Sequence, residues 1–161
     1  MVIPNEIVIG VVSGVLTATG LYLAKEFWTK TIVPSYQSIK YQGADISGVW
    51  LAELVDNEGT ENEATSSFSM VLKQNAHKIT GSMQFTHSAP SNTYTIDFNI
   101  NGEYWEGYLN LMCRSKSRKT YSHASLFLKL AAGGLALEGQ FSFRNVITDT
   151  VSSDPLVLIR N

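Results

Sequence analysis

Cysteine is almost absent from this chain of 161 residues: Cys113 stands alone, so no disulfide framework can form within one molecule. A single unpaired thiol suits a reducing compartment. Charge of either sign is not in excess. A net charge of −2 and an isoelectric point near 5.9 give no general reason to expect a nucleic-acid polymer as partner. Catalytic patterns are missing too. His77, His87 and His123 lack the spacing of zinc ligands. No Gly-x-Ser-x-Gly elbow, phosphate-cradling glycine loop or metalloprotease helix occurs. Asp97 and Glu106 fall on faces that read as solvated. The expectation is a binding protein, not an enzyme, with no cofactor and no metal.

Charge is also absent from Ile7 to Ala24, a run of eighteen residues closed by Glu6 and Lys25. A helix of that length reaches about 27 Å, close to the ~30 Å hydrocarbon core of a bilayer. Ile7, Val8, Ile9, Val11, Val12 and Val15 are mediocre helix formers in water. In lipid, however, backbone groups must close their own hydrogen bonds. The run reads as a transmembrane anchor within residues 1–30, followed by a juxtamembrane linker at 31–44 in which Pro34 stops the helix. A signal peptide is the alternative, but no Lys or Arg precedes the run and no small-x-small cleavage site stands out. A buried helix of a soluble domain is the other, and no later helices offer to surround it. Lys25, Lys30 and Lys40 follow the run, so the amino terminus is expected outside and the remainder in the cytoplasm, with Phe27 and Trp28 at headgroup depth. Gly10, Gly14 and Ala18 recur every four residues with Thr17 beside them. That spacing lets helix backbones approach closely and points to a homo-oligomer in the lipid bilayer.

From residue 45 the pattern has period two. Eight strand-like runs follow, at 47–55, 66–74, 78–86, 93–101, 104–114, 122–130, 135–143 and 156–160. Most alternate cleanly: Phe68, Met70 and Leu72 against Ser67, Ser69 and Lys73, or Leu137, Gly139 and Phe141 against Glu138, Gln140 and Ser142. Links after the second, fourth and sixth runs are short, at 75–77, 102–103 and 131–134, and the others are longer. Short turns at one end and long loops at the other describe an all-β, eight-stranded, antiparallel up-and-down barrel over 45–161, which removes its edges by closing. The first strand leaves the membrane linker, so the short-turn end is expected toward the bilayer. At the long-loop end, Tyr94, Arg114, Arg118, Lys119, Tyr121, His123 and Arg144 are candidate ligand-binding residues, because Arg and Lys suit phosphate and rings suit a small-molecule mouth. Strict alternation points Arg114 and Arg144 outward unless a bulge re-aims them.

Gly48-Val49-Trp50, opening the first strand, resembles the Gly-x-Trp of lipocalin-type barrels, in which the Trp plugs the closed end. Leu72-Lys73-Gln74-Asn75-Ala76-His77-Lys78-Ile79-Thr80-Gly81 is similar to a strand-turn-strand of many small bacterial barrels. The layout of one anchor and one eight-stranded barrel resembles the membrane-anchored barrel effectors of bacterial CBASS antiphage systems and their Panoptes-type relatives. Effectors of this kind with two membrane segments differ from this chain, which has one. The resemblance implies a bacterial inner-membrane protein whose barrel binds a cyclic di- or oligonucleotide second messenger made by a CD-NTase-like nucleotidyltransferase. It further implies that the anchors then oligomerise and disrupt the membrane. Two other readings stay open: an anchored lipocalin-like binder of an apolar small molecule, and a filled barrel used for protein docking.

Overall fold

A computed structural model describes residues 4–56, 59, 63–90, 92–118, 122–145 and 150–161. It divides into two compact units, Met1–Tyr41 and Gln42–Asn161.

The first unit is helical: α1 (Asn5–Phe27), a π-helical turn (Trp28–Ile32) and α2 (Val33–Lys40). One helix, Asn5–Gln37, is long and apolar enough to cross a membrane. No residue of α1 is buried by the chain, and a Cβ added at Gly10 or Gly14 would meet nothing within 4 Å. The helix does not stop at Pro34. That residue falls in the first turn of α2, directly after the π-helical turn. The wider π-helical turn just before it shifts the hydrogen-bond ladder, which accommodates the ring and the missing N–H within the continuing helix.

The second unit is the expected barrel. Eight antiparallel strands close in sequence order: β1 (Gly48–Asp56), β2 (Ala64–Asn75), β3 (Lys78–Ala89), β4 (Asn92–Trp105), β5 (Tyr108–Ser115), β6 (His123–Ala131), β7 (Ala136–Asn145) and β8 (Thr150–Arg160). One face of each strand supplies the core. Trp50, Phe68, Met70, Leu72, Ile79, Met83, Phe98, Ile100, Leu109, Leu111, Leu126, Leu128, Leu137 and Leu158 are almost wholly buried. An interior of eight strands is just wide enough for such side chains to fill it. Each fully buried Leu or Met contributes about 1.5–3 kcal/mol relative to exposure. On the inward face of β7 position 139 is glycine, because a Cβ there would come within 2.0 Å of the Phe127 carbonyl oxygen.

The turns differ from the sequence reading in three places. The fourth strand runs on to Trp105, and its two-residue turn is Glu106–Gly107, both at positive φ (50° and 88°). Tyr104 is therefore the inward residue and Trp105 is exposed, whereas alternation through the expected run 104–114 sets Trp105 on the same face as Leu109 and Leu111. The link after β3 is short, because the β3–β4 ladder continues through His87–Tyr94 and Ser88–Thr93 to Ala89–Asn92. The eighth strand begins at Thr150, six residues before the apolar run that signals it.

Candidate functional site

The closed end comes first, since it fixes where a ligand cannot go. Trp50 is fully buried and donates its indole N–H to the Ile46 carbonyl at 2.9 Å. The chain crosses this end just before β1, tied by Ile46 N–H to Gln74 Oε1 at 2.8 Å and Gln74 Nε2 to the Ala44 carbonyl at 3.3 Å. The Asp45 carboxylate, which accepts the Ser47 N–H at 2.8 Å, is held below the usual carboxylate range by its hydrogen bonds to Ser47. Above this plug the inward faces carry mostly aliphatic side chains, with Phe98 among them.

At the long-loop end the filling changes to rings. Phe68 and Phe141 form a buried floor, with centroids 5.2 Å apart. Half-buried Phe85 lies 4.9 Å from Phe68 and 6.1 Å from Tyr94, and Phe143 stacks on Phe141 at 5.1 Å. His87 faces Tyr94 across the β3–β4 ladder at 5.3 Å, with its Nδ1 3.0 Å from the Ser66 hydroxyl. Burial pushes the Tyr94 phenol above its ordinary pKa, so it stays neutral and able to donate a hydrogen bond. The result is a continuous aromatic lining that rises from the core to the solvent.

The cations named from the sequence do not join it. Tyr94 faces inward, but Arg114 follows the inward Cys113 and points outward, paired by register with Asn99 and His123. His123 precedes the inward Ala124, and Arg144 follows the inward-facing Phe143, so both also lie on the outer wall. Arg118 is exposed in the segment after β5. Lys119 and Tyr121 lie outside the described residues. No bulge re-aims the arginines, since the register is continuous through Asn99–Arg114–His123 and Arg144–Val151. They form a basic band outside the barrel at the level of the mouth, with Tyr94 inside it. Among the described residues, the register does turn Asp56, opposite Ala64, and Asp154, opposite Phe141, inward at this end, both exposed.

Sequence reasoning missed Phe85, Phe141 and Phe143 as a site because their alternation reads equally well as core. Their signal was position: Phe141 and Phe143 are successive inward residues near the end of β7, and Phe85 lies toward the same end of the barrel on β3. Among the described residues, no group of three or more His, Cys, Asp or Glu could hold a metal ion. Comparison with protein-family models, with curated proteins and with solved structures finds no match for this chain.

Proposed function

We propose that this chain is a membrane-anchored receptor: a small molecule with a flat body seats on the rings at the open end of the barrel, and its occupancy biases association of the apolar helices. The observation that carries this reading is the lining that runs from Phe68 and Phe141 through Phe85 to Tyr94 and Phe143. Rings open to solvent at one end of an otherwise filled barrel offer stacking area that the core does not use. A cyclic di- or oligonucleotide, the ligand class that the resemblance to CBASS-type effectors implies, suits such rings through its bases. Base–aromatic stacking is worth about 1–3 kcal/mol per base. Its phosphates would turn to the outer band of Arg114, Arg118 and Arg144 at the rim. Helix association through Gly10, Gly14, Thr17 and Ala18 would then perturb the inner membrane and kill the infected cell. A ligand drives that step only by its differential affinity for the two association states.

A second reading, capture of an uncharged apolar molecule, is favoured by one observation. Among the described residues, no Lys or Arg faces into the open end. Calorimetry on the barrel, residues 42–161, with a panel of cyclic di- and trinucleotides beside an uncharged polycyclic aromatic separates the two. Saturable nucleotide binding that weakens with salt supports the first reading, and binding of the uncharged molecule alone supports the second. Binding of neither removes both.

A further inference from the structure

The ladder that closes the barrel is its shortest. β1 meets β8 at Trp50–Arg160 and Leu51–Ile159, extended by the Asn161 N–H donating to the Val49 carbonyl at 3.0 Å. By contrast, β1 pairs with β2 from Gly48 to Asp56, and β8 pairs with β7 from Thr150 to Ile159. Continuing the β1–β8 register would join Glu53 to Val157 and Val55 to Pro155, and neither pair forms. Backbone alternation explains why. The Arg160 N–H donates to the Leu135 carbonyl on the β7 side, whereas Asn161 turns to β1. Odd-numbered residues of β8 therefore present their backbone to β1, and Pro155, one of them, has no N–H to give. Past Ile159 the two strands part. The backbone groups of Glu53 and Val55 then line one edge, and those of Ser153 and Val157 the other. A groove of about 550 Å³ follows the split, with Leu51, Phe68, Val157 and Ile159 as its apolar surface.

We infer that this split receives an extended, basic polypeptide strand from a partner protein, which adds to the free edge of β1. Unpaired backbone N–H and C=O groups on a sheet edge are a template for another strand, and no other ligand matches their repeat. β1 is the receiving side, because Pro155 blunts the β8 edge. The charge of the partner follows from Glu53, the charged residue of the groove lining, with exposed Asp56 and Asp154 at the mouth end of the two parted strands. Among the described residues, no Lys or Arg lines the groove. A second copy of this chain pairing edge to edge would set those carboxylates against their equivalents, so the observations favour a different protein. Its alternate apolar side chains would lie in the groove, and its Lys or Arg residues would meet the carboxylates.

The test uses the full chain in phosphatidylcholine nanodiscs, with fluorescent peptides that alternate Lys with Val, Ile or Phe. Expected are a saturable rise in anisotropy over empty nanodiscs and slowed amide exchange at Glu53 and Val55. Methylating alternate peptide nitrogens, or replacing Lys by Glu, lowers affinity about tenfold or more, as losing two or three hydrogen bonds requires. Val55→Pro does the same, because the N–H it removes lies on the free side and the β1–β2 ladder remains. Equal binding by the methylated peptide, unchanged binding to Val55→Pro, or no binding by any peptide of the set overturns the inference.

Discussion

The guanidinium of Arg160, the penultimate residue, lies 5.3 Å above the ring of Trp50 and donates from Nη2 to the Ser47 carbonyl at 2.6 Å. One side chain thus ties the last strand to the first at the end where the barrel is plugged. A desolvated cation over an indole is worth up to about 2 kcal/mol, and a charge-assisted hydrogen bond about 1.5–3 kcal/mol. Because the β1–β8 ladder is so short, this pair carries much of the closure. Arg160→Lys keeps the charge but loses the planar fork, so it is expected to cost about 1–3 kcal/mol. Urea denaturation of residues 42–161 checks it; a change below about 0.3 kcal/mol would mean that closure does not depend on this contact.

The Glu106–Gly107 turn carries a correctable strain. Glu106 adopts φ 50° without a side chain that favours it, and it is exposed at the tip of a two-residue hairpin. Asn at the first position of an Asn–Gly turn takes that conformation more readily. Glu106→Asn should stabilise the barrel by about 0.5–1 kcal/mol, visible as a higher melting temperature. A lower melting temperature would show that the exposed carboxylate does something else there.

How far the fold was legible depended on whether a strand carried its alternation to its ends. Leu109, Leu111, Leu126 and Leu128 all lie inside, where period two put them. It failed where apolar residues sit on both faces, as at Tyr104 and Trp105, since nothing local sets the phase between them. His87, Ser88, Ala89 and Asn92 fell outside the expected strands, because apolar–polar alternation ends there although the ladder continues, with the Ser88 and Thr93 hydroxyls 3.4 Å apart. At the site, alternation correctly sent Arg114 and Arg144 outward.

Cys113 gives a pH dependence with a definite sign. Burial among the core side chains pushes its thiol up to about 12 from an ordinary value of 9.0. The folded state keeps the neutral thiol, so its stabilising share is complete below about pH 9 and is lost as pH rises toward 12. The loss runs at roughly 1.4 kcal/mol per pH unit at most. Denaturation midpoints between pH 8 and 11 should therefore fall more steeply for the native chain than for Cys113→Ala. In the folded protein at pH 8, a thiol reagent should react no faster than global unfolding allows. Rapid labelling would place the sulfur outside the core.

The receptor reading rests on the rings at the mouth, and they can be separated from the core beneath them. Phe143 is half-buried at the end of β7, stacked on Phe141 but above the filled interior. Phe143→Ala should therefore cost about 1–2 kcal/mol, less than the 3–5 kcal/mol typical of a fully buried Phe. It should weaken ligand binding by about tenfold, since roughly one stacking contact is removed. Arg114→Ala sits on the outer wall and should leave stability within about 0.5 kcal/mol. Its effect on affinity then reports the ligand class: a loss that shrinks at high salt belongs to an anionic ligand reaching over the rim, and no loss belongs to an uncharged one. If Phe143→Ala binds as tightly as the native barrel while Arg114→Ala does not, the ligand lies on the outer band and the aromatic mouth is only the top of the core.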